Sequence, residues 1–83
     1  MTLKQLKDKV RIDGPVLHGY FNYSILYRGS WEHTASNDTL AYDTIKSDEK
    51  SHAYTVKQAY QALWNKAARL MKREEWDCRD VRD

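Results

Sequence analysis

The sequence predicts a small α+β domain: a short N-terminal helix, a β-hairpin, a short helix, and a long C-terminal amphipathic helix packed on the sheet. Three observations carry that prediction. The pattern Thr-x-x-Gln occurs twice, at Thr2-Leu3-Lys4-Gln5 and Thr55-Val56-Lys57-Gln58, each time opening an apolar series at helical spacing. Between the two lies an aromatic and β-branched stretch broken by a tight Arg28-Gly29-Ser30 turn. The chain has 83 residues, 41% of them hydrophobic and 31% charged, which is ordinary for a globular domain with one modest core.

In the first element, Leu3, Leu6 and Val10 fall at i, i+3 and i+7 and predict a helix over about residues 3–10. Asp13-Gly14-Pro15 ends it, because proline lacks a donor and disfavours helix before it. Residues 16–28 read as a strand with Leu17, Phe21, Tyr23, Ile25 and Tyr27 on one apolar face, and His18 on the same segment. Trp31 to Ser36 returns as the second strand. A three-residue loop sets Tyr27 opposite Trp31 on the apolar face, whereas a two-residue Arg28-Gly29 loop pairs Leu26 with Trp31. The sequence leaves the two registers open. Ser36-Asn37-Asp38 are good helix caps, so residues 39–46 form about two turns with Leu40, Ala41, Thr44 and Ile45 inward. Residues 47–53 are a polar loop. Val56, Ala59, Tyr60, Leu63, Trp64, Ala67, Leu70 and Met71 then predict a helix over about 56–74. Residues 1–75 make one domain and 76–83 a charged tail. Two strands alone are marginal in water, so the long helix covers them, a third strand joins, or a homodimer forms through the hairpin edge.

No apolar run approaches the roughly 20 residues of a membrane helix, and the N-terminus lacks the apolar core of a secretory signal. The lone Cys78 cannot form an internal disulfide. The expectation is a cytoplasmic protein. Its net charge of +2 is unevenly spread: residues 57–73 hold Lys57, Lys66, Arg69, Lys72 and Arg73 and no acid. The tail that follows is acidic, with Glu74, Glu75, Asp77, Asp80 and Asp83 against two arginines.

The chemistry-bearing residues do not assemble into a catalytic pattern. His18, His33 and His52 have no second ligand at zinc spacing, although His18 and His33 on neighbouring strands are able to approach each other. Asp38 reads as a helix cap, and Cys78 in its acidic setting is a poor nucleophile. The expectation is a non-enzyme with no cofactor and no metal. The aromatic load points elsewhere. Three Trp, six Tyr and one Phe exceed what one small core buries. Tyr60, Trp64 and Phe21 fit the core, whereas Tyr20, Tyr42 and Trp76 fall off the apolar stripes and are candidate partner contacts. The alternative is a nucleic-acid-binding domain, with Lys66, Arg69, Lys72 and Arg73 sharing much of one helix face along the phosphates.

Tyr27-Arg28-Gly29-Ser30-Trp31, the segment from Thr34 to Asp43, and the helix start from Tyr54 to Leu63 together resemble small uncharacterised accessory proteins of bacteriophages. The likeness spans about half the chain and carries no catalytic residue. It implies a phage or mobile-element protein that binds and modulates a host protein in the host cytoplasm.

Overall fold

Thr2 opens the structure as read from its sequence. Its hydroxyl accepts the Gln5 N–H at 3.2 Å while the Gln5 side chain accepts the Thr2 N–H at 2.8 Å, a closed capping box over helix α1, Leu3–Lys9. The computed structural model describes residues 2–48 and 54–71. The chain leaves α1 directly into strand β1, Val10–Asp13, so Val10 ends the helix and begins the sheet. Strands β2, Phe21–Tyr27, and β3, Ser30–Ser36, complete an antiparallel sheet in the order β1-β2-β3. The third strand that a lone hairpin needs is therefore Val10–Asp13, pairing Val10 with Ile25 and Ile12 with Tyr23.

Residues 16–20 do not continue the strand. After Gly14 and Pro15 the chain makes a single 3₁₀ turn, Leu17–Gly19, with His18 at φ 67° and Gly19 at φ 74°. Positive φ at consecutive residues is incompatible with extended backbone, so Leu17 ends 79% exposed instead of facing the core. Gly14 is required here. It sits at φ 140°, and a Cβ would stand 2.8 Å from the Phe21 Cβ.

The hairpin turn decides the register. Arg28 and Gly29 both take positive φ, the geometry of a two-residue primed turn, and Leu26 pairs with Trp31 while Tyr27 pairs with Ser30. Trp31 thus lies on the face opposite Phe21, Tyr23 and Ile25. That inner face is covered by Leu6 of α1, by Ala41 and Tyr42 of helix α2, Thr39–Ser47, and by helix α3, Val56–Leu70. On α3 the buried residues are Ala59, Leu63, Trp64, Ala67 and Ala68, where the three alanines bring the helix backbone close to its neighbours. A second capping box, Thr55 with Gln58, starts this helix, and Met71 caps its end. Leu70, expected on the inward stripe, is 59% exposed, with Ala68 buried in its stead. The end expected near residue 74 and the tail at 76–83 lie outside the described residues.

Candidate functional site

The sheet, the 3₁₀ turn and the last turns of α3 leave a groove where they meet. Its walls are Val16 and Tyr20 from the turn, Asn22 from β2, Ala35 from the end of β3, and Lys66 and Leu70 from α3. The groove encloses about 530 Å³. It exists because Gly14, Pro15 and Gly19 fold residues 14–20 into a turn that presents Val16 and Tyr20 outward. Leu70 lies four residues beyond Lys66, one helical turn, so both reach the same wall. Val16, Tyr20 and Leu70 are 43%, 51% and 59% exposed, far more than core side chains of their kind. Half-buried Lys66 is the cation of the groove walls.

Of the expected partner contacts, Tyr20 is in this groove. Tyr42 is not a surface anchor. It is 7% exposed, its ring stacks on Phe21 at a centroid distance of 4.6 Å, and its hydroxyl donates to the Gly14 carbonyl. The short helix turns Tyr42 inward and leaves Leu40 41% exposed, because Asp38 caps the helix through the Ala41 N–H and so fixes its rotation. Trp76 lies outside the described residues. The proposed basic helix face is represented by Lys66 in the groove wall and exposed Arg69. Lys72 and Arg73 lie outside the described residues, as do Cys78 and His52. His18 is on the 3₁₀ turn and His33 mid-way along β3, so they do not occupy neighbouring strands.

The outer sheet face is a second surface. The registers align Arg11, Ser24 and His33 in one row, and Leu26 and Trp31 in the next. The Arg11 guanidinium stands 5.4 Å from the centre of the Trp31 ring. Trp31 is 42% exposed.

The inner face also holds polar groups. Tyr23 and Thr34 are register partners, and neither hydroxyl has a hydrogen-bond partner among the described residues. Burial pushes the Tyr23 phenol up to about 12, with the Arg69 charge pulling it down and Asp38 pushing it further up. Tyr54 is also raised, first by burial and then by the charge of Asp38 and a hydrogen bond to it. Raised phenols remain neutral near pH 7 and supply no base, so this cluster belongs to the packing of the sheet against the helices.

The sequence reading missed Val16 and Leu70 as groove walls. The signal for Val16 was present in the bracketing Gly14-Pro15 and Gly19, which mark a turn and not a strand. No helix among the described residues is long and apolar enough to cross a membrane. Comparison with known proteins finds no matching family model, no matching curated protein and no matching solved structure.

Proposed function

We propose that this chain is a non-enzymatic protein-binding module that takes an apolar segment of a partner into the groove between the 3₁₀ turn and α3. The observation that carries it is convergence. Three large exposed apolar side chains, Val16, Tyr20 and Leu70, line one cavity of about 530 Å³, with Lys66 half-buried beside them. Apolar walls with a single cation fit an apolar anchor flanked by a carboxylate. An aromatic such as Tyr20 supplies contact area at a low entropy cost. The resemblance to phage accessory proteins makes a host protein the partner class to seek first.

The test is capture from bacterial lysate on the immobilised chain, with and without nuclease, read by mass spectrometry. Tyr20→Ala and Leu70→Asp each abolish capture of a specific protein while the melting temperature stays within a few degrees of wild type. Capture that survives both substitutions sinks the reading. Capture that vanishes with nuclease and falls steeply with salt moves the function to nucleic acid and to Lys66 and Arg69.

A further inference from the structure

Among the described residues strand β3 has one partner, β2, and no strand pairs with its other edge. Tyr27 and Ser30 flank a two-residue turn and so exchange hydrogen bonds with each other. In an antiparallel ladder the bonded pairs alternate, which makes Ile25–Glu32, Tyr23–Thr34 and Phe21–Ser36 the remaining bonded pairs. The N–H and C=O groups of Trp31, His33 and Ala35 therefore point away from β2, along the free edge. Natural proteins protect such an edge with proline, a bulge or an edge lysine. Ser30-Trp31-Glu32-His33-Thr34-Ala35-Ser36 contains neither proline nor lysine, and its register with β2 runs through all seven residues without a bulge; its one charge is Glu32, on the inner face beside Ile25.

We propose that this edge pairs with β3 of a second copy, antiparallel about a two-fold axis at His33, to make one continuous six-stranded sheet. The sequence of the strand is self-complementary in that register alone. Only registers that set the edge-facing residues 31, 33 and 35 opposite residues of the same parity are allowed, and those that overlap at least five strand residues have two-fold centres at Glu32, His33 or Thr34. Centring on Glu32 sets two carboxylates directly opposite, which is unfavourable. Centring on Thr34 pushes Trp31 past the strand end, opposite Asn37. Centring on His33, the middle of the strand, uses its whole length. It sets Trp31 against Ala35 of the other copy, a large side chain against a small one, and Glu32 against Thr34. About six backbone hydrogen bonds cross the axis, two for each of the pairs formed by residues 31, 33 and 35.

The pairing has a consequence for the groove. Ala35 and Asn22, which face each other in the β2–β3 register, line it, so Trp31 of the second copy stands beside its rim. The dimer itself does not depend on what the groove binds, so either idea can fail without the other.

The experiment is sedimentation of the full chain from about 1 µM to about 1 mM, the span over which weak strand pairing is read. The expected result is a concentration-dependent doubling of mass. His33→Lys, on an exposed side chain, sets two ammonium groups across the axis and raises the dimer dissociation constant at least tenfold, with an unchanged melting temperature at concentrations where both proteins are monomers. His33→Thr keeps a strand-favouring residue and retains the dimer. The register is read by cysteine crosslinking in a Cys78→Ser background. His33→Cys crosslinks under mild oxidation because the two Cα atoms lie about 5.5 Å apart across the axis. Ala35→Cys does not, because its copies lie too far apart. A monomer at every concentration overturns the proposal and leaves the edge to a strand of another protein. Equal crosslinking at 33 and 35 overturns the register and the proposal with it.

Discussion

Tyr23 is the residue whose replacement says most about the core. Its ring is 0% exposed at the centre of the sheet, and its hydroxyl lacks a partner among the described residues, as does that of Thr34 opposite. A buried polar group left unsatisfied costs about 1–3 kcal/mol. Tyr23→Phe keeps the ring and its packing on Ile12 and the helices while removing that penalty. The expected gain is about 1–2 kcal/mol at pH 7. At roughly 4–8 °C per kcal/mol for a domain of this size, the melting temperature rises by about 5 °C or more. The alkaline limb tests the same cause independently. Because burial raises the folded phenol from 10.0 to about 12, folding favours the neutral form. That contribution is complete below pH 10 and is lost as pH climbs through 12, at about 1.4 kcal/mol per pH unit and near 3 kcal/mol in all. Phenylalanine has nothing to ionise, so the variant's advantage widens between pH 10 and 12. Thermal melts by circular dichroism, run on both proteins from pH 7 to 12, measure the difference. Tyr54 and Tyr60 are also raised, the latter by burial and then by Asp48, but both are common to the two proteins and cancel. A Phe variant that melts earlier at pH 7, with a pH curve parallel to wild type, refutes the argument.

The other expectations concern backbone, core and cap. Gly14→Ala forces a Cβ to 2.8 Å from the Phe21 Cβ at φ 140°, and strained backbone alone costs on the order of 1–3 kcal/mol, so a large fall in melting temperature is expected. Gly19→Ala, with open space around its Cβ site at φ 74°, costs markedly less, and equal losses at the two glycines contradict the clash. Leu63→Ala empties a fully buried position and costs about 2–5 kcal/mol, leaving so small a domain largely unfolded by chemical denaturation. A shift of a degree or two places the core elsewhere. Thr55→Ala removes the acceptor for the Gln58 N–H and costs about 1 kcal/mol, read as a lower urea midpoint with an unchanged slope.

The sequence by itself determined what depends on residues three or four apart. Both capping boxes form as Thr2 with Gln5 and Thr55 with Gln58, because donor and acceptor are neighbours on the chain in any helix that begins there. The stripe through Ala59, Leu63, Trp64 and Ala67 is likewise a property of the helix's own period, as is the alternation of Phe21, Tyr23 and Ile25 along a strand. Tyr20 was legible as an aromatic with no place on a stripe. The tertiary structure decided what depends on partners distant in sequence. Val-Arg-Ile-Asp at 10–13 becomes a strand only because Ile25 and Tyr23 offer it an edge; four residues with two apolar positions carry no strand period of their own. Tyr42 goes inward because Phe21 and the Gly14 carbonyl, 21 and 28 positions away, receive its ring and hydroxyl. The groove needs residues 16–22 beside 66–70, a proximity set when the helices close over the sheet. Local hydrogen bonds and periodicity are encoded in short windows of chain, whereas the faces that end up covered are chosen by the net burial of all elements together.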